Sequence, residues 1–218
     1  MENIEVSGMV VSSMPIGEYD RRLEILTADL GRISAFARGA RKPSSSLVSV
    51  SRPFAFGEFS LYRGKNSYSL SSAKISNYFE DISKDIVKTY YGFYFLELAS
   101  YFTREANPAK EELILLYRSL KALISEKFDD RLVRAVYELK LISLSGYAPD
   151  AEYLKSRKSL LSGTQYAYDF VLQTPPEKLY SFRLSEDVLK EFSQLSFGLV
   201  KSVSDKDFNS LKLLETLT

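Results

Sequence analysis

Along the first 75 positions apolar and polar residues alternate with period two, the spacing of strands that bury one face. The clearest stretch is Gly31 to Lys42, GRISAFARGARK, where Ile33, Ala35 and Ala37 alternate with Ser34, Phe36 and Arg38 before a glycine-hinged loop. Upstream, Ile4 to Val11 suits a first strand, ended by the turn residues Met14-Pro15-Ile16-Gly17. Arg21 to Thr27 suits a second, with Leu23 and Ile25 on one face and Arg22, Glu24 and Leu26 on the other, and Ala28-Asp29-Leu30-Gly31 is a four-residue hairpin turn. A Ser-rich link, Ser44 to Ser51, leads to an aromatic strand from Pro53 to Tyr62, a turn at Arg63-Gly64-Lys65-Asn66 and a fifth strand from Ser67 to Ile75. Five short strands with tight turns favour a small closed barrel, because closure removes exposed sheet edges. Among such barrels the OB-fold commonly takes single-stranded nucleic acid.

Past Asn77 the period changes. Ser83 is the expected N-cap of a helix running to about Ala106, and Tyr90 to Phe102 is so rich in Tyr and Phe that the helix should be buried on nearly every side. Asn107-Pro108 supplies an N-cap and a first-turn proline for the next helix, whose stripe is Leu113, Leu116, Leu120 and Leu123. Asp129-Asp130 starts a third helix, which stops at Gly146 and is sealed by Pro149. Residues 150–176 keep no sustained period and are expected to form an irregular lobe or a short hairpin around Ser162-Gly163. Ser185-Glu186-Asp187 begins a helix to about Lys201, and Ser204-Asp205 caps a last one in which Phe208, Leu211, Leu214 and Leu217 share a face. The expected class is α+β: a five-stranded barrel over residues 1–78 and a helical domain over 79–218, with Asn77 to Ser83 as the junction and no internal repeat.

Charge sharpens this picture. From Gly31 through Ile75 there are eight bases, Arg32, Arg38, Arg41, Lys42, Arg52, Arg63, Lys65 and Lys74, against the single acid Glu58, in a chain whose formal net charge is only +1. Positive charge gathered into one fifth of the length points to a polyanionic partner, although a solvated charged surface reads the same way. The chain holds no Cys and no His, which removes disulfides, thiolate or imidazole zinc sites and the Ser-His and Cys-His nucleophile arrangements. Folding is therefore expected to be independent of metal, with no cofactor. The N-terminus has acids where an export signal needs bases, and no segment approaches the ~20 apolar residues of a membrane helix, so a soluble cytoplasmic protein without a membrane partner is expected.

Individual motifs support no catalysis. Gly64-Lys65 lacks the earlier glycine and the following Ser or Thr of a phosphate loop. Ser71 and Lys74 have the S-x-x-K spacing of some acyl-transfer enzymes, but in a strand those positions face opposite sides. The acid pairs Glu18/Asp20, Glu80/Asp81 and Asp129/Asp130 sit at turns and helix starts, where carboxylates cap backbone N–H groups. The aromatics Phe36, Phe54, Phe56, Phe59, Tyr62 and Tyr68 cannot all fit inside so small a barrel. Tyr62 and Tyr68, flanking Arg63 and Lys65, are the expected outward rings, either stacking bases or packing on the helical domain.

The run GMVVSSMPIGEYDRRLEILTADLGRISAFARGARKPSSSL contains Gly17-Glu18-Tyr19-Asp20-Arg21, the Thr27 to Arg32 hairpin and the loop Ala37 to Arg41, and it resembles the N-terminal domain of the RecO family of bacterial recombination mediators. PFAFGEFSLYRGK, YELKLISLSGYAPD and DFNSLKLLETL resemble later parts of that family. Many relatives carry four zinc-binding cysteines after the G-Y-x-P-D segment, and this chain has none there. The resemblance implies an OB-fold plus a helical domain in a nucleoid-associated monomer without catalytic residues. It implies binding of single- and double-stranded DNA and annealing of complementary strands; the basic, aromatic part of the barrel offers Arg22, Arg32, Arg38, Arg41, Lys42, Arg63 and Lys65 with Tyr62 and Tyr68 as the expected contacts. It also implies partnership with RecR and with the acidic C-terminal tail of single-stranded-DNA-binding protein, in loading recombinase. Arg131 and Arg134, at i, i+3 spacing, are the expected contacts for that tail, unless they pair with acids of their own domain such as Glu138. A scaffold binding an acidic peptide and a carboxylate-dependent nuclease or transferase stand as the alternatives.

Overall fold

Residues 3–77 close into a barrel because one long strand serves two neighbours. In this computed structural model, which describes residues 2–65, 67–148 and 160–216, β1 spans Asn3–Ile16. Its first half pairs antiparallel with β4 (Phe56–Arg63) and its second half with β2 (Asp20–Thr27). β2 pairs with β3 (Gly31–Ala37), and β3 runs parallel to β5 (Tyr68–Asn77), which returns to β4. The order β1-β2-β3-β5-β4 is a closed ring, the OB-fold topology expected from the strand count. Register shifts between Val10 and Ser12 in β1 and between Ser60 and Leu61 in β4 supply the bends that closure needs. The alternation predicted for β3 holds: Ile33, Ala35 and Ala37 join Leu23, Ile25 and Phe59 in the barrel core. The Ser-rich link contains a short helix, α1 (Leu47–Val50), which buries Leu47 and Val50 in that core.

The chain divides into two compact units, one of residues 1–80 and 99–113, the other of 81–98 and 114–218. In the first, residues 99–109 lie along the β2–β3 turn and bind it through backbone groups. Arg32 N–H donates to Arg104 O (3.1 Å), Ala106 N–H to Leu30 O (3.0 Å) and Ala109 N–H to Ala28 O (3.0 Å). The Thr27 hydroxyl closes the turn from within, donating to Gly31 O and accepting from Leu30 N–H. The Thr27 to Arg32 motif is thus a docking device.

The second unit is helical: α2 (Ile86–Phe102) and α3 (Lys110–Ile124), which both begin or end in the first unit, then α4 (Asp130–Leu144), α5 (Ser162–Gln173), α6 (Glu186–Val203) and α7 (Asn209–Glu215). The Leu113, Leu116, Leu120 and Leu123 stripe is buried, as are Phe208, Leu211 and Leu214. α4 starts at Asp129, whose side chain accepts from Arg131 N–H, and ends where Gly146 N–H and Tyr147 N–H bond back to Ser143 O and Ile142 O. Three helix starts differ from expectation. Asp85, not Ser83, caps α2, its carboxylate accepting from the N–H groups of Val87 and Lys88 after a 3₁₀ turn over Glu80–Lys84. α3 starts after Ala109, two residues beyond Asn107, and its first intrahelical bond is Leu113 N–H to Ala109 O, while Ala109 N–H bonds Ala28 O. α7 starts after Phe208, whose buried ring fixes the entry, rather than at Ser204-Asp205. The hairpin expected at Ser162-Gly163 is instead the first turn of α5, where the missing side chain of Gly163 lets Val188 approach. Asn66, Pro149, residues 150–159 and Leu217 lie outside the described residues.

Within this helical unit Glu138 is fully buried. Its Oε1 accepts from the Tyr94 hydroxyl at 2.8 Å, and the Arg134 Nε stands 3.6 Å away, too far for a hydrogen bond. Burial pushes its pKa up to about 7, the Arg134 charge and the Tyr94 and Ser196 hydroxyls only partly offsetting it. Between the unfolded value near 4.5 and about 7 the folded chain keeps a proton that the unfolded chain has released. Stability therefore falls as pH rises through that window, by a contribution of order 3 kcal/mol. Glu138→Gln should flatten the dependence and be the more stable protein at pH 8. Urea denaturation of both proteins between pH 5 and 8 checks this, and equal slopes would refute it.

Candidate nucleic-acid interface

The basic loop is held in shape by the turn beside it. β2 and β3 pair as far as Arg21 opposite Ala37, which brings the β1–β2 turn, residues 17–19, alongside the loop 38–42. Asp20 Oδ1 accepts from Gly39 N–H at 2.7 Å, and Tyr19 O accepts from Arg41 N–H at 2.8 Å. Gly39 adopts φ +68°, the left-handed conformation that glycine takes without a Cβ penalty, and this turns its N–H back toward Asp20. Ala40 is buried in the barrel core and anchors the loop from below. On this backbone Arg38, Arg41 and Lys42 are all exposed. The Arg41 guanidinium also donates to Gly17 O (3.2 Å), and Lys42 Nζ lies 5.2 Å from the centre of the Tyr19 ring. The Gly17 to Arg21 and Ala37 to Arg41 motifs are therefore two halves of one structure.

Strand register extends the charge sideways. Met14 lies opposite Arg22, Arg22 opposite Phe36, Phe36 abreast of Ser69, and Ser69 opposite Tyr62. These five positions form one rung across all five strands; Arg22, Phe36, Ser69 and Tyr62 each alternate with a core residue and so face outward, and Met14 is 52% exposed. Arg22 is exposed and donates from Nε to Ser34 Oγ at 3.1 Å. Tyr62 is 40% exposed and Phe36 half-buried, two rings on a face with Arg22 and Arg38. Arg63 and Lys65 are exposed at the β4–β5 turn. Phe36 and the exposed apolar tip of Met14, Ile16 and Tyr19 were missing from the expected set. The alternation of β3 already placed Phe36 opposite the inward alanines.

Four expected contacts fall elsewhere. Tyr68 is only 7% exposed and belongs to the barrel core, where the small side chain of Ala35, its neighbour on β3, leaves room for the ring. Arg32 is bound to Glu24 at 2.9 Å, with its Nε toward Thr103 O at 3.4 Å, and Glu24 also accepts from the Ser100 hydroxyl. Its charge is used in holding residues 100–103. Arg131 is gripped by two carboxylates, Asp129 and Glu186, each through two hydrogen bonds. Arg134 is 17% exposed and pairs at long range with Glu138, the acid of its own domain weighed against the tail contact. Among the described residues no group of three or more acids is placed to hold a metal ion, and no helix is long and apolar enough to cross a membrane.

An OB-fold barrel with an exposed cationic loop and outward aromatic rings, followed by a helical unit, is the class of protein that the structure defines. The comparisons narrow this. The family model described as Recombination protein O N terminal matches residues 1–79, and that described as Recombination protein O C terminal matches residues 83–153. The protein from Acetivibrio thermocellus called DNA repair protein RecO is 28% identical, over 100% of this chain and 98% of its own length. The protein of the same name from Caldicellulosiruptor saccharolyticus is 30% identical, over 77% of this chain and 69% of its own. The chain belongs to the RecO family of DNA repair proteins.

Proposed function

We propose that the chain is a non-catalytic DNA-binding recombination mediator, which holds single and double strands on the barrel face, anneals complementary strands and helps load recombinase together with RecR. The observation that carries this reading is the loop at Arg38, Arg41 and Lys42, fixed by Asp20 and Tyr19, on a barrel whose outward rung carries the Phe36 and Tyr62 rings. Cations on a fixed backbone neutralise phosphates without regard to sequence, and outward rings stack unpaired bases. Strands whose phosphates are neutralised repel each other less, which is what annealing requires.

The helical unit supports a docking role. A cavity of about 320 Å³ has an apolar lining of Phe197, Val200, Phe208 and Leu211, with Lys201 Nζ 4.5 Å from the Phe197 ring and Lys206 Nζ 5.9 Å from the Phe208 ring. The rim also carries Asp205, Asp207 and Lys212, the last paired with Asp207 at 2.7 Å, so the apolar floor with Lys201 and Lys206 is what suits an acidic peptide with an apolar end, the chemistry of the single-stranded-DNA-binding protein tail. This cavity takes the place of Arg131 and Arg134 as the proposed dock. One set of titrations tests both roles: labelled single- and double-stranded DNA with and without magnesium, then a synthetic tail peptide. Tight DNA binding, annealing without strand cleavage and peptide binding lost in Lys201→Glu are expected. Magnesium-dependent cleavage, or no binding to either strand form, would overturn the DNA reading, and peptide binding unchanged by Lys201→Glu would overturn the dock.

A further inference from the structure

Between the β1–β2 turn and the basic loop lies an open cleft of about 280 Å³, lined by Ile16, Gly17, Asp20, Phe36 and Arg38. We propose that this cleft takes one unstacked base from single-stranded DNA and prefers guanine, with Asp20 reading its Watson–Crick edge. The inference rests on the DNA-binding reading above and adds a base preference to it. Phe36, half-buried on the outward rung, gives the cleft an aromatic wall, and the exposed Ile16 gives an apolar one. A base entering between them exchanges water for ring and methyl contacts, which is how single-stranded nucleic acid is held on aromatic platforms.

Asp20 is what makes the cleft selective. A carboxylate on a surface that faces phosphates weakens binding unless the ligand gives it hydrogen bonds. Its contact with Gly39 N–H uses one lone pair of Oδ1, and an asparagine would hold the loop equally well. The remaining lone pairs, above all those of Oδ2, accept and cannot donate. Guanine presents two adjacent donors, N1–H and N2–H, which match a carboxylate. Cytosine offers the N4 amino group beside the N3 acceptor, adenine the N6 amino group beside the N1 acceptor, and thymine one N–H between two carbonyls. Each sets an acceptor against the carboxylate. Arg38, which lines the same cleft, supplies a donor for the adjoining phosphate.

The test uses the full chain and fluorescein-labelled oligo-dT carrying one central dG, dA, dC or deoxyinosine, with affinity read by anisotropy at fixed salt. The dG strand is expected to bind about five- to tenfold tighter than plain dT, with dA and dC near dT. Deoxyinosine, which lacks the N2 amino group, should fall between. Asp20→Asn keeps an acceptor for Gly39 and should lose the dG preference, its dG and dT strands binding alike. Phe36→Leu, which removes the ring but keeps the bulk, should weaken all strands and provides a second variant should Asp20→Asn fail to fold. Equal affinity for dG and dT strands, both bound, overturns the base preference and leaves the DNA reading standing. A dG preference that survives in folded Asp20→Asn overturns the role given to Asp20. Failure to bind any strand overturns the DNA reading itself.

Discussion

Replacing Arg38, Arg41 and Lys42 together with alanine is expected to weaken DNA binding by about 10² to 10³ at moderate salt and to lower the log–log salt slope by about two to three units. Each phosphate neutralised contributes about 0.9 to that slope on duplex DNA and about 0.7 on single strands, so three lost contacts account for the change. The loss should be equal across DNA sequences, because phosphate contacts position a strand without reading it. The loop should survive the substitution. Asp20 holds Gly39, and Tyr19 holds Arg41, through backbone N–H groups that alanine retains, and Ala40 still anchors the loop in the core. Melting should therefore shift little, and a triple variant with normal affinity and slope would remove this loop from the interface. Arg32→Ala makes the contrast. That side chain is tied to Glu24 and Thr103, so its loss should lower stability and leave the salt slope nearly unchanged.

The barrel was legible because its strands bury one face, so alternation alone assigns Ile33, Ala35 and Ala37 inward and Phe36 and Arg38 outward. The same rule places Tyr68 with Leu70, two positions on and also in the core. Weighing Tyr68 by its nearness to Lys65 instead put it on the wrong side. Arg32 was a different matter. Strand parity does put it outward, on the face of Glu24, which binds it at 2.9 Å; the second partner, a carbonyl 71 residues away, is encoded by no local pattern. The return of residues 99–113 to the first unit is hidden for the same reason, since backbone atoms make the key bonds and any sequence carries those. At Arg134 the i, i+4 spacing to Glu138 named the partner, while the burial that makes the pairing dominant comes from α2, which contributes Tyr94. Local capping residues put three helix starts two to four positions early, where the structure has a 3₁₀ turn before Asp85, a backbone bond from Ala109 to Ala28 and the buried ring of Phe208.

Gly31→Ala should be among the most damaging single substitutions in the chain, costing roughly 4 kcal/mol or more of stability and leaving little folded protein. Two costs combine there. Gly31 has φ +69°, which alone disfavours any side chain by about 1–2 kcal/mol. A Cβ at this position would also lie 2.0 Å from Arg104 O and 2.4 Å from Asn107 O, inside the contact distance of both. Those oxygens are backbone atoms and cannot swing aside as a side chain would. Moving them breaks the Arg32 N–H bond to Arg104 O and strains the neighbouring bonds from Ala106 and Ala109 that fasten residues 104–109 to the β2–β3 turn. Gly39→Ala separates the two costs. Its φ is +68°, yet the nearest atom to an added Cβ is Lys42 Cδ at 3.7 Å, an ordinary contact, so only the conformational cost of about 1–2 kcal/mol remains. Urea or thermal denaturation of the two variants against the unmodified chain decides the matter. A loss at Gly31 no greater than that at Gly39 would mean that the β2–β3 turn and residues 104–109 are not fastened as closely as the Thr27 to Arg32 motif requires.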